Sequence, residues 1–129
     1  MAGTAKAVKS GAALRDAVAE LAESLNLNVE KEVRLGRRVW GARRNIDVVI
    51  RNNDTKQSLG IECKYQDSKG SAEEKIPATM QDIPAWPIKG LVVYSGKGFS
   101  TNMKAYLLST GLAIEFNDLK KWLELYFGL

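Results

Sequence analysis

One stretch, Leu59-Gly-Ile-Glu-Cys-Lys-Tyr-Gln66, limits the possible folds of this 129-residue chain more than any other. Its pattern predicts a strand, whose alternate side chains point to opposite faces of a sheet. One of these faces carries Glu62, Lys64 and Gln66. Charged side chains are rarely left beside a core unless they pair, bind a metal or do chemistry. The stretch therefore predicts a sheet with a candidate site on one strand.

The order of the predicted elements places the chain in the α/β class. We expect helices over residues 10–27, 71–82, 101–110 and 118–125, and strands over 29–35, 44–51, 59–66, 90–95 and 112–116. Ser10, Ser71 and Asn117 are the expected N-caps, with Glu74 completing a capping box at the second helix. Three consecutive strands favour an antiparallel meander, whereas the apolar strand at 90–95 favours parallel pairing beneath a helix.

Alternation also assigns faces on the first two strands. We expect one apolar face on each, formed by Val29, Val33 and Leu35 on the first strand and by Ile46, Val48 and Ile50 on the second. Asp47 then lies on the opposite face of the second strand. The length predicts a single domain over residues 1–129, with residues 1–9 flexible.

Two absences restrict the chemistry of the chain. It contains no histidine, which excludes Ser-His-Asp and Cys-His catalysis and any histidine-bound zinc. Cys63 is the only cysteine, so an internal disulfide is impossible and a small core residue is expected. A bound metal should therefore be a hard, oxygen-liking ion such as Mg²⁺ or Mn²⁺.

The sequence also lacks the marks of a membrane or exported protein. No run approaches the roughly 18 apolar residues that span a bilayer, and residues 1–10 lack the apolar core of a signal peptide. We therefore expect a cytoplasmic protein with no membrane partner.

Basic residues are concentrated in one part of the chain. The formal net charge is +4, and one span holds Lys31, Arg34, Arg37, Arg38, Arg43, Arg44 and Arg51 together with Trp40. The simplest interpretation is a solvated, basic hairpin. A phosphate-contacting surface is favoured, because arginine outnumbers lysine and an aromatic residue lies among the charges.

A second acid accompanies the acid and lysine of the 59–66 strand. Adjacent strands of a meander lie about 4.8 Å apart, so Asp47 can share a face with Glu62 and Lys64 if the register brings them level. Two carboxylates and an ammonium suit metal-assisted phosphodiester hydrolysis. The alternative is a buried ion-pair network in a non-catalytic domain.

These residues resemble a known signature. Arg44-Asn-Ile-Asp47 followed by Ile61-Glu-Cys-Lys64 is similar to the split motif of the PD-(D/E)XK nuclease superfamily, although Asn45-Ile46 replaces the usual proline before the aspartate. The order of elements over residues 11–116 also resembles the α-β-β-β-α-β core of that superfamily. The resemblance implies a restriction-endonuclease-like fold with a mixed central sheet flanked by helices.

The resemblance also implies roles for individual residues. Asp47, Glu62 and the main-chain carbonyl of Cys63 would hold the metal, and Lys64 would be the catalytic lysine. A further acid from the first helix would be Glu20, with Asp16 as its rival. Gln66 would contact water or phosphate. The expected DNA-binding residues are Arg37, Arg38, Trp40, Arg43, Arg44 and Lys75.

Together these features indicate an Mg²⁺-dependent (or Mn²⁺-dependent) DNA endonuclease acting on duplex or branched DNA. Its small size favours a restriction-like or homing-like nuclease of a mobile element or phage, working as a homodimer or homotetramer. A Holliday-junction resolvase is the first alternative. A fold that binds nucleic acid without cutting it is the second.

Overall fold

A computed structural model of the chain describes residues 10–38, 41–67 and 72–129, with residues 72–74 described as backbone only. Three expectations lie outside the described residues: the flexible segment 1–9, the DNA contact of Trp40, and the capping box of Ser71 and Glu74.

The helices and strands follow the predicted order. Helices α1 to α4 run over Gly11–Ser24, Ala72–Asp82, Thr101–Thr110 and Leu119–Phe127, and strands β1 to β5 over Asn28–Arg37, Arg43–Arg51, Ser58–Tyr65, Lys89–Ser95 and Ala113–Glu115. Ser10 caps α1 as expected, since its hydroxyl accepts the Ala13 N–H at 3.0 Å. Asn117 does not cap the last helix. It lies in a 3₁₀ turn before α4, and its amide donates to Glu115 instead.

The five strands form one mixed sheet in the order β1-β2-β3-β4-β5. Strands β1, β2 and β3 are antiparallel neighbours, which confirms the meander. Strands β3, β4 and β5 pair in parallel, as the apolar character of β4 predicted. No helix in these described parts of the chain has both the length and the apolar character that crossing a bilayer requires.

An apolar cluster covers each face of the sheet. On one face, called here the α1/α4 face, the helices pack through buried residues such as Leu14 and Leu123. On the opposite α2/α3 face they pack through Ile76 and Leu107. Cys63 is buried in the α1/α4 cluster, as expected of a small core residue. Glu62 and Lys64, its neighbours on β3, alternate with it toward the other face.

The side chains of β1 and β2 change faces part-way along, so the prediction of one apolar face on each strand is wrong. The α1/α4 face takes Val29, Val48 and Ile50, whereas the α2/α3 face takes Val33, Leu35 and Ile46. The change occurs at Glu32 and Asp47, between the cross-strand pairs Lys31↔Val48 and Val33↔Ile46. Glu32 has a φ of 58°, a left-handed conformation rare outside glycine. This conformation interrupts the pleat, which accounts for the change of face.

Candidate active site

The two predicted acids lie where the pairing of β2 with β3 ends. The ladder runs from Arg51↔Ser58 to Val48↔Ile61, and the next residues along the strands are Asp47 and Glu62. Asp47 Oδ2 accepts the main-chain N–H of Cys63 at 2.8 Å. A side chain therefore bridges the strands at the point where the paired backbone stops. Because the ladder ends before Asp47 and Glu62, these two carboxylates, which would repel each other as a directly opposed pair, are not a paired position of the sheet.

Burial dominates the electrostatics of both acids. It raises the pKa of Glu62, and the nearby Asp47 charge raises this pKa further, whereas Lys64 and Arg38 lower it. Burial also raises the pKa of Asp47, and the hydrogen bond from the Cys63 N–H opposes that effect. Two carboxylates with raised pKa values in one place form an unfavourable site that cations can stabilise.

Two cationic side chains reach the same oxygen of Glu62. Arg38 Nη2 lies 3.1 Å from Glu62 Oε2, and Lys64 Nζ lies 4.0 Å from it. The other oxygen, Oε1, is buried and has no hydrogen-bond partner among the described residues. One oxygen of the Glu62 carboxylate is thus paired with cations, and the other is buried without a hydrogen-bond partner among the described residues.

The donor set fits a hard divalent cation. A buried carboxylate oxygen without a partner carries a desolvation cost, which a cation beside it would offset. Carboxylate oxygens are the ligands that Mg²⁺ and Mn²⁺ prefer. No group of three His, Cys, Asp or Glu side chains comes together as a metal cluster within the described part of the chain. Such a cation would therefore depend on Asp47, Glu62, main-chain oxygen and water.

Comparison with known families gives a match over most of the chain. A family model described as a PD-(D/E)XK nuclease superfamily domain matches residues 6–124. The chain belongs to the PD-(D/E)XK nuclease superfamily. A search of curated proteins finds no match.

Solved structures are similar to this superfamily member at low identity. The protein of unknown function AF1548 has a TM-score of 0.55 and 19% identity, over 78% of this chain and 54% of its own. The present chain thus spans about half the length of that structure. A repair endonuclease from Pyrococcus abyssi has a TM-score of 0.47 and 14% identity, over 81% of this chain and 45% of its own. Protein VC1899 from Vibrio cholerae has a TM-score of 0.47 and 18% identity, over 84% of this chain and 30% of its own.

The helix acid expected of a PD-(D/E)XK site is not brought to Asp47. Glu20 is exposed on α1 and lines a shallow groove with Asp16 and Lys31. Asp16 forms ion pairs with Arg15 at 3.2 Å and with Lys31 at 3.3 Å. These contacts hold Asp16 at the surface of α1, where Glu20 is exposed as well.

The acid that does approach Asp47 comes from β1 and was not predicted. The Glu32 charge raises the pKa of Asp47, and its own carboxylate accepts hydrogen bonds from Asn45 at 2.8 Å and Arg15 at 3.0 Å. Because these bonds lower the pKa of Glu32, it remains ionised beside the site. The cross-strand register could have found it, since a hairpin that pairs Val33 with Ile46 places Glu32 opposite Asp47.

Gln66 supports a loop instead of facing a substrate. Its side chain is buried and donates to the Gly98 carbonyl at 2.8 Å, while the Gly98 N–H returns a bond to the Gln66 carbonyl at 2.8 Å. Gly96 has a φ of 110°, and a side chain there would collide with the Gln66 main chain. The proposed water or phosphate contact of Gln66 is therefore replaced by a role in holding residues 96–99.

Arg44 also belongs to the fold, so its expected DNA contact is wrong. It is 5% exposed, and its guanidinium binds Asp82 through two hydrogen bonds of 2.8 and 2.9 Å. It also donates to the carbonyls of Leu35 and Arg37. Because every contact of this guanidinium lies inside the protein, no donor face is turned toward DNA.

The other predicted DNA-binding residues that the structure describes lie on the surface, with one exception. Arg37, Arg43 and Lys75 are exposed. A groove of about 540 Å³ beside the site is lined by Glu32, Arg34, Arg43 and Asn45. The exception is Arg38, which lies inside the site on Glu62.

Proposed function

We propose that this chain is a metal-dependent endodeoxyribonuclease that hydrolyses phosphodiester bonds. The observation that carries the proposal is the position of Asp47 and Glu62 where the pairing of β2 with β3 ends, with Lys64 4.0 Å from Glu62 and with the buried Glu62 Oε1 lacking a hydrogen-bond partner among the described residues. Membership of the PD-(D/E)XK nuclease superfamily supports the same reaction class.

Asp47 and Glu62 would hold the cation together with the main-chain carbonyl of Cys63. When bound, Mg²⁺ or Mn²⁺ would neutralise phosphate charge and make water nucleophilic near neutral pH. The Cys63 N–H positions Asp47, and the buried setting of Glu62 strengthens its attraction for a cation. The protein thus supplies two positioned carboxylates that would hold a cation beside a phosphodiester.

Lys64 is the proposed catalytic lysine. Its side chain is 28% exposed, so the ammonium group could contact both Glu62 and a substrate. An ammonium in this position would orient the attacking water and offset the charge that develops on the phosphate.

DNA would approach along the exposed basic surface next to the site. Arg37, Arg43 and Lys75 are available for phosphate contacts. Such contacts give affinity without sequence specificity, and they weaken as salt increases. Because one domain carries one site, cutting both strands of a duplex would use two copies, and we propose a homodimer or homotetramer.

The substrate proposal is a restriction-like or homing-like cut in duplex DNA by a mobile-element or phage nuclease. The test compares linear duplex, four-way junction and genomic DNA in Mg²⁺ and in Mn²⁺. Cutting of linear duplex would support the proposal, and cutting restricted to junctions would replace it with a resolvase. Binding without cleavage in both metals would overturn catalysis altogether.

The site itself is tested with Glu62→Gln and Lys64→Ala. Each should reduce cleavage by at least about 100-fold, the scale of a lost electrostatic catalytic group, while the fold and DNA binding persist. Glu23→Gln and Lys89→Ala are matched controls, because both residues are exposed and belong to neither β2 nor β3, the strands that carry the site. Wild-type rates in either site variant would reject the assignment.

A further inference from the structure

The Arg38 guanidinium occupies a position that the proposed function leaves unexplained. It comes from the connection between β1 and β2, yet it is largely buried against Glu62, with 16% of its side-chain area exposed. Arginine prefers to grip a carboxylate through two parallel hydrogen bonds. Here Arg38 Nη2 reaches Oε2 at 3.1 Å, and the buried Oε1 has no hydrogen-bond partner among the described residues.

The backbone around Arg38 is held in place by hydrogen bonds. The Arg38 N–H donates to Ala42 at 2.7 Å, and the Arg38 carbonyl accepts the Gly41 N–H at 2.8 Å. The preceding residue, Arg37, is held through its carbonyl by the buried Arg44 at 2.9 Å. The guanidinium could therefore change partner by rotation of its own side chain, without movement of the strands.

Charge balance gives the side chain a reason to move. Without a metal, the cations of Arg38 and Lys64 oppose the negative charge of Glu62 and Asp47, while Glu32 and Arg15, which pair with each other, also act on Asp47. A divalent cation adds two positive charges to the same buried space, which disfavours keeping both side-chain cations there. Arg38 makes the shorter contact with Glu62, at 3.1 Å against 4.0 Å for Lys64, so a metal on Glu62 would act on it most strongly.

We propose that Arg38 is an internal cation that a divalent metal displaces from Glu62, and that the released guanidinium then binds a DNA phosphate at the site. The inference rests on the proposed function, since it needs the metal site of Asp47 and Glu62. It makes Arg38 a positioning residue that couples metal binding to DNA binding. Coupling of this kind is reciprocal, so DNA would also raise the affinity of the protein for the metal.

The first measurement is the affinity for Ca²⁺ without DNA, by titration calorimetry. Ca²⁺ takes the same class of oxygen ligands as Mg²⁺. Arg38→Gln should bind Ca²⁺ about tenfold more tightly than wild type, within the usual range of coupling between two sites. Arg37→Gln is the matched control, because Arg37 is exposed and its side chain donates to Gly41. It should leave the Ca²⁺ affinity unchanged.

The second measurement is the affinity for a DNA duplex with and without Ca²⁺, with the DNA checked for integrity. Arg38→Gln should lose about tenfold in affinity with Ca²⁺ and little without it, within the same range. Arg37→Gln should lose the same factor in both conditions, as an ordinary phosphate contact does. If Arg38→Gln does not fold, Arg38→Lys should show both effects in the same direction, because an ammonium lacks the planar fork of arginine.

The outcomes separate this inference from the proposed function. Ca²⁺ binding that survives Glu62→Gln would remove the metal site and the inference together. Ca²⁺ binding that requires Glu62 but is not tightened by Arg38→Gln would overturn the inference alone. So would a DNA affinity that Arg38→Gln lowers equally with and without Ca²⁺, or leaves unchanged in both.

Discussion

Two arginine–carboxylate pairs lie close together in this protein, and they differ in how completely the carboxylate is satisfied. Asp82 is fully buried and accepts three hydrogen bonds, two from Arg44 and one from Trp86 at 2.9 Å. Glu62 is almost as buried but accepts one bond from Arg38 and keeps an open oxygen. The hydrogen bonds from Arg44 lower the pKa of Asp82, whereas burial raises the pKa of Glu62.

The difference separates a pair that holds the fold together from a pair that is available for chemistry. Arg44 joins β2 to the end of α2 and to the carbonyls of Leu35 and Arg37, so Asp82 fixes the hairpin that carries Arg38. A saturated pair has no capacity left for a ligand. The Arg38–Glu62 pair retains that capacity, at the cost of keeping a poorly satisfied charge inside the protein.

The largest expected effect comes from breaking the saturated pair. Asp82→Ala should lower the free energy of unfolding by about 3–5 kcal/mol, because it leaves the Arg44 charge buried without a partner. Urea unfolding monitored by circular dichroism measures this loss. The double variant Arg44→Met with Asp82→Leu is the control and should recover part of it. A loss below about 1 kcal/mol for Asp82→Ala, the range of an exposed pair, would contradict the structural role.

A divalent cation should act on the Arg38–Glu62 pair and not on the Arg44–Asp82 pair. At a concentration 100 times its dissociation constant, a ligand specific for the folded state stabilises it by about 2.7 kcal/mol. Mg²⁺ should therefore raise the melting temperature of wild type and of Asp82→Asn but leave Glu62→Gln unchanged. Thermal scans with and without EDTA test this, and an equal response in Glu62→Gln would place the cation elsewhere.

The two carboxylates should also affect stability with opposite dependence on pH. The lowered pKa of Asp82 contributes stability above its unfolded value of about 3.9, and this is lost as the pH falls. The raised pKa of Glu62 costs stability as the pH rises above its unfolded value of about 4.3.

Unfolding between pH 3 and 7 in EDTA checks both signs against wild type. As the pH rises, Asp82→Asn should become progressively less stable than wild type, and Glu62→Gln progressively more stable. Parallel curves for the two variants would show that the pKa values of Asp82 and Glu62 are not shifted in opposite directions.

The contrast between the pairs marks the limit of what the sequence could predict. Element order, the meander and the meeting of Asp47 with Glu62 follow from periodicity, turn residues and a local motif. Arg38 and Arg44 belong to the same basic span, and nothing local distinguishes them, since their partners lie 24 and 38 residues away. The change of face at Glu32 depends on one left-handed residue, which a side-chain pattern does not encode.

The smallest expected effect distinguishes two neighbouring arginines at the DNA surface. Arg43 is exposed beside the groove that it shares with Arg34, whereas Arg44 points inward to Asp82. Arg43→Gln should lower DNA affinity for all sequences alike and reduce the slope of log affinity against log salt by about 1, as the loss of one phosphate contact does. Fluorescence anisotropy over a range of salt concentrations measures the slope.

Arg44→Gln is the control, studied below its melting temperature. It should leave the slope unchanged, because the buried Arg44 guanidinium of the wild type releases no counterion from DNA. A reduced slope for Arg44→Gln alone would mean that the buried arginine, and not the exposed one, reaches the phosphate backbone.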